Sequence, residues 1–136
     1  MNKPTPVRGA AELVAHLPHS HIEENFVYRG MCDASAAAAL DEHHFVVAND
    51  ERNQLKVYKR GSADPVDVVD LAPFLGTRPH KESDLEGAAT IGNTIYWISS
   101  HGRNSRGEVQ ERRYRFFATE AHKRKPWVQP VGRPYT

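Results

Sequence analysis

The chain has 136 residues, enough for one ordinary domain. Eighteen Lys and Arg against seventeen Asp and Glu leave a net charge of +1, no electrostatic footprint for nucleic acid or an acidic membrane surface. The composition, 39% hydrophobic and 26% charged, is that of a globular rather than a disordered chain, and a single cysteine excludes an internal disulfide.

Residues 1–24 read as an N-terminal extension. Within it AAELVAHL has helical spacing and predicts one short helix. His16, His19 and His21 cluster there without a Cys pair or an H-E-x-x-H motif, so they read as a solvated linker rather than a zinc site. The extension lacks an apolar run of signal-peptide length. No stretch approaches the roughly 20 apolar residues of a bilayer span. A cytoplasmic location, with no membrane and no nucleic-acid partner, is the expectation. NFVYRG (25–30) predicts a strand. Cys32 reads as a small core residue.

A repeat of about fifty residues follows. Without a gap, DASAAAALDEHHFVVANDERN (33–53) lies over DLEGAATIGNTIYWISSHGRN (84–104) at an offset of 51. Asp33 meets Asp84, Ala37 meets Ala88, Ala38 meets Ala89, Arg52 meets Arg103 and Asn53 meets Asn104. Leu40 falls over Ile91, Phe45 over Tyr96 and Val47 over Ile98.

Each unit reads as β. In the first, SAAAAL is a strand of small residues, Asp41-Glu42-His43 a turn and HFVVAN a β-branched and aromatic strand. QLKVYKR then alternates with period two, and PVDVVDL gives a fourth strand. In the second, EGAATI, Gly92-Asn93 and TIYWISS form a tight hairpin, SHGRNSRGE a long loop and RRYRFFATE a third strand. Arg112, Arg113, Arg115, Lys123, Arg124 and Lys125 read as a solvated strand face.

Four antiparallel strands recurring at this period are the signature of a propeller blade. The expected fold is all-β: about two four-stranded blades (33–75 and 84–120) in a partial or open propeller, with one short N-terminal helix. Residues 121–136 read as a Pro-rich tail. Two blades leave edges and apolar faces uncovered, so self-association is an expected partner mode.

The acids at equivalent edges are metal candidates. Asp33 precedes one inner strand, and Asp84 and Glu86 surround the start of the other. Carboxylates converging at a channel mouth suit Ca²⁺, which takes oxygen ligands; alternatively Asp33 and Asp84 serve as Asx residues in their own turns. Arg52, Asn53, His101, Arg103 and Asn104 are ligand-binding candidates, because a guanidinium fork suits carboxylate or phosphate. His101, with Arg103, is the catalytic candidate, since imidazole titrates near neutral pH. The repeated Arg-Asn equally suits a structural role. No nucleophile elbow, P-loop or dinucleotide fingerprint is present.

The combination YRGMCDASAA, FVVANDERNQLKVY, ESDLEGAA and IYWISSHGRN followed by RRYRFFAT resembles the bacterial domain-of-unknown-function family 3616. The likeness runs from about Tyr28 to Ala118, with a weaker match in PVGRPY. It implies a β-propeller-like fold of which this chain matches the N-terminal part. It lends no catalytic residues. Asp84 to Gly87 also looks like elements of phytase-like and esterase-like propellers, where acids near the axis bind calcium.

Three functions follow as expectations. The first is a ligand- or partner-binding β module, or a remnant of a longer gene. The second is a calcium-dependent hydrolase of phosphate or carboxylate esters. The third is a structural module assembling by blade pairing.

Overall fold

The structure, a computed structural model, describes residues 25–49, 52–78 and 80–136. The strand signals build two four-stranded antiparallel sheets, each a meander in chain order. Sheet one holds β1 (Ala34–Ala39), β2 (His44–Asn49), β3 (Gln54–Lys59) and β4 (Asp67–Asp70). Sheet two holds β5 (Leu85–Ile91), β6 (Thr94–Ser99), β7 (Phe116–Ala121) and β8 (Val128–Tyr135). The expected all-β, two-blade architecture is the one that forms. The candidate N-terminal helix and its histidines lie outside the described residues. No helix among the described residues is long and apolar enough to cross a membrane.

Alanine is a poor strand former, yet ASAAAA makes β1. Its position explains this. Strands β1 and β5 lie side by side at the inner edge of the two sheets, where small side chains permit close approach. The same crowding operates at Gly87, where an added Cβ would stand 3.0 Å from Ile98 Cγ2.

The register corrects the ungapped repeat. Ala38 pairs with Val46 and Ala36 with Ala48; Ala89 pairs with Tyr96 and Gly87 with Ile98. The offset is 51 along the first strand of each sheet, but 50 along the second. The first hairpin turn spends one residue more (Asp41 to His43) than the Gly92-Asn93 turn. Val46 therefore corresponds to Tyr96 and Ala48 to Ile98, not Phe45 to Tyr96 and Val47 to Ile98. Through the next ladder, Leu55 corresponds to Phe116 and Val57 to Ala118.

A one-residue shift moves a side chain to the other face of its sheet. The core shows the consequence. Sheet one contributes Val46, Ala48, Leu55 and Val57, all 0% exposed; sheet two contributes Ile95, Trp97 and Phe117. These are non-equivalent faces, so the sheets stack front to back. Trp97 Nε1 donates to Thr119 Oγ1 at 2.9 Å, which satisfies the indole inside the core. The connection from outer strand β4 to inner strand β5 plugs the stack with Leu71 and Leu75, and Phe74 meets Phe117 edge-on at 5.7 Å.

Several local expectations change. Residues 25–30 form no strand. They lie over the other face of sheet one, where Tyr28 meets Phe45 at 5.0 Å and Tyr58 at 5.4 Å. Tyr58 Oη donates to the Arg29 carbonyl at 2.6 Å and holds them there. The tail is not an extension: Ala121 ends β7, and Val128–Tyr135 is the fourth strand of sheet two. Pro130 and Pro134 are tolerated because β8 is an edge strand. A short helix, α1 (Ala72–Leu75), follows β4, with Gly76 closing it at φ 65°. Glu111–Arg113 make a 3-10 turn, so β7 begins only at Phe116. Cys32 is exposed rather than core.

Candidate functional site

The strand ends that carry β1 and β5 into their sheets form the polar end of the stack. Asp84 sits here at φ 57° and His101 at φ 54°, both in the left-handed region. The Ser100 hydroxyl donates to Asp84 Oδ2, and the Ser100 amide donates to the Asp84 carbonyl at 2.8 Å. Ser100 Oγ also accepts the Gly102 amide at 3.0 Å. Arg113 adds its guanidinium: Nε lies 3.6 Å from Asp84 Oδ2, and Nη1 donates to the Arg103 carbonyl at 3.1 Å. Glu82 stands at the edge of this group, 4.0 Å from Arg113 Nη2.

This arrangement locks backbone in place; it does not activate a nucleophile. Ser100 gives its proton to a carboxylate, not to an imidazole. His101 Nδ1 is 2.8 Å from the Ser99 carbonyl, so Nδ1 carries the proton, and the ring stands edge-on to Tyr114 at 5.2 Å. A serine–histidine pair of the hydrolytic kind needs the histidine nitrogen to accept from the serine.

The candidate binding residues separate. Asn53 is 1% exposed and works as a clamp. Its Nδ2 donates to Lys81 O at 2.7 Å and Thr77 Oγ1 at 3.2 Å, and its Oδ1 accepts the Ser83 amide at 2.8 Å. Its carbonyl accepts the Leu71 amide at 2.8 Å. One side chain thus ties the β2–β3 turn to the lead of β5. Asn104 instead closes its own loop: Oδ1 accepts the amides of Arg106 and Glu108 at 3.0 and 2.9 Å. Arg103 Nη1 donates to Gly107 O at 2.8 Å within that loop, and Arg52 is exposed. The repeated Arg-Asn is therefore two unrelated loop devices.

The metal candidates separate too. Asp84 is engaged by Ser100 and approached by Arg113, while Asp33 and Glu86 are exposed. Among the described residues no three His, Cys, Asp or Glu side chains form a group suited to a metal ion. Asp33, Asp84 and Glu86 do not converge as a calcium set.

What sequence reasoning missed is a surface. The outer face of sheet two is apolar and continuous across its ladder. Gly87 pairs with Ile98, Ile98 with Phe116, and Phe116 with Tyr135; Ala89 pairs with Tyr96, Tyr96 with Ala118, and Ala118 with Val131. Ile98 and Phe116 are each 43% exposed and Tyr135 77%. The Tyr96 and Phe116 rings stack at 6.0 Å. The signal lay in the hairpin turns: counting the extra residue in the first one matches Tyr96 and Ile98 to Val46 and Ala48 rather than to Phe45 and Val47.

No family model, curated protein or solved structure matches the chain.

Proposed function

We propose that this chain is a non-catalytic binding module whose partner is a second copy of itself, docked on the outer face of sheet two. One observation carries the reading. Tyr96, Ile98, Phe116 and Ala118 occupy the register positions that Val46, Ala48, Leu55 and Val57 hold in sheet one. In sheet one those positions are fully buried against the back of the next sheet. The open face is built like a blade front that awaits a blade back.

The opposite end of the stack supplies a complement. Phe26 and Val27, 51% and 75% exposed, ride on the segment that covers the other face of sheet one. Contiguous exposed apolar surface of this kind marks association sites. Joining unlike ends is a heterologous contact, which closes into a ring or propagates. Rings of roughly four to eight blades are the propeller range, so two to four copies suit closure. The motif order from YRGMCDASAA to RRYRFFAT supports the same architecture.

The test is solution mass by light scattering behind a sizing column, near neutral pH. The wild-type chain is expected as a discrete oligomer. Ile98→Asp and Phe116→Asp should each convert it to a monomer with an unchanged far-ultraviolet circular dichroism spectrum. A wild-type monomer at every concentration up to the solubility limit would sink the reading.

A further inference from the structure

A second feature of the polar end is independent of the open face. The connection between β4 and β5 and the 3-10 turn before β7 together enclose a concavity of about 310 Å³. Arg78, Lys81, Arg112 and Arg115 line it, with Thr77 beside them and Glu111 the acid on its wall. Arg112 and Arg115 are half-buried and held by neutral oxygens, which are backbone carbonyls except for Gln110 Oε1, the acceptor for Arg112 Nη1. Arg112 Nε donates to Glu82 O at 3.1 Å. Arg115 Nη1 donates to Glu111 O at 2.7 Å and to Tyr114 O at 3.0 Å, and its Nε reaches Leu75 O at 3.4 Å. Arg78 and Lys81 are exposed on the facing wall.

The decisive point is what these cations lack. The ion pairs among the described residues involve Arg113, Lys125 and His44, and none of the four lining cations makes one. Carbonyl oxygens fix the two guanidinium planes without cancelling their charge. Four like charges around one partly desolvated concavity repel, and an anion placed among them is the arrangement that relieves the repulsion. Guanidinium forks favour oxyanions whose oxygens they can meet in pairs, and lysine adds a mobile point charge. A carboxylate offers two oxygens to four cations. A phosphate group offers three or four, with up to two negative charges.

We infer that the concavity lined by Arg78, Lys81, Arg112 and Arg115 is a binding site for the phosphate group of a small soluble molecule. Arg103 and His101, the pair that the sequence favoured for an anion, do not line it. Arg112 and Arg115 precede β7 rather than standing on a strand face. The 3-10 turn instead folds them back over the β4–β5 connection.

The test is thermal unfolding of the full chain in inorganic phosphate against chloride at matched ionic strength. Phosphate is expected to raise Tm by about 5 °C at ten times its Kd. The double variant Arg78→Ser/Lys81→Ser changes exposed side chains only, so its Tm in chloride should match wild type. Its phosphate affinity should fall at least tenfold. An equal Tm in phosphate and chloride for the wild type overturns the proposal, as does an undiminished phosphate effect in the double variant. Vesicles of neutral lipid with and without phosphatidic acid form a second arm, and neither should sediment the protein. Sedimentation by phosphatidic acid that the double variant abolishes would overturn the assignment to a soluble ligand.

Discussion

The two sheets are built on one plan and finished differently. Sheet one has both faces covered: its front packs on sheet two, and its back lies under Tyr28, which meets Phe45 and Tyr58 edge-on. Sheet two has one face covered and one open, with Ile98 and Phe116 at 43% exposure. Each sheet alone would expose two apolar faces, so burial is set by what lies next to it. The comparison teaches that the two sheets share one register, and that the face buried in sheet one is, among the described residues, the one exposed in sheet two.

The comparison breaks most severely at the shared interface. Trp97 is fully buried between the sheets and bonded to Thr119. Trp97→Ala should cost about 3–5 kcal/mol. Chemical denaturation followed by circular dichroism should then show one cooperative transition moved to lower denaturant. If only part of the strand signal were lost, sheet one would be stable without sheet two, and the picture of mutual burial would be wrong.

Next is the clamp between the sheets. Asn53→Ala leaves the carbonyl of Lys81 and the amide of Ser83 without their side-chain partner. Buried groups orphaned in this way cost about 1–3 kcal/mol each. It also places alanine at φ 51°, a conformation alanine disfavours. Asn104→Ala should cost less than about 1 kcal/mol, because its loop is solvated. Parallel melts of the two variants test the claim that the repeated Arg-Asn conceals two roles. Equal losses would overturn it.

A milder change sharpens the contrast of the outer faces. Tyr28→Ala removes the cover from Phe45 and Tyr58. It should cost about 2 kcal/mol, on the scale of burying one aromatic side chain, and bring the back of sheet one closer to the state of the open front of sheet two. Binding of a hydrophobic dye should rise. Unchanged dye binding and stability would mean that residues 25–30 do not protect that face.

Much of this was legible in the sequence. The alternation of QLKVYK and the Gly92-Asn93 turn specify their elements by local chemistry alone. The small residues of β1 and β5 announce a crowded inner edge. What escaped was set by counting and by tertiary context. One extra turn residue decides which residues of β2 correspond to Tyr96 and Ile98, and an ungapped repeat hides it. β8 was concealed by Pro130, Gly132 and Pro134; Gly132 and Pro134 fall in a three-residue bulge opposite Phe117, and Pro130 pairs with Thr119 on an edge strand. Among the site candidates, residue type suggested chemistry, but Asn53 and Asn104 proved to be occupied by backbone, and Asp84 by Ser100 and Arg113. The cations of the concavity come from segments thirty residues apart, a distance across which spacing carries no signal.

The smallest expected effect concerns the turn that sets the register difference. Asp41 accepts the amides of His43 and His44, each at 2.7 Å, and approaches His44 Nδ1 at 3.0 Å. Burial pushes its carboxyl upward, but the His43 amide, the His44 imidazole and the His44 amide outweigh that and leave it below its ordinary value. A lowered carboxyl stabilises the fold above the ordinary carboxylate pKa, about 4. That contribution is lost as the pH falls through the lowered value. Its carboxylate is 41% exposed, so solvent screening keeps the effect small. The Tm difference between wild type and Asp41→Asn should be constant from neutral pH to about pH 5 and shrink below about pH 4. A difference that persists unchanged into stronger acid would mean that the three-residue turn is held by its backbone alone. The extra residue, and with it the face assignment of all of β2, would then owe nothing to the aspartate.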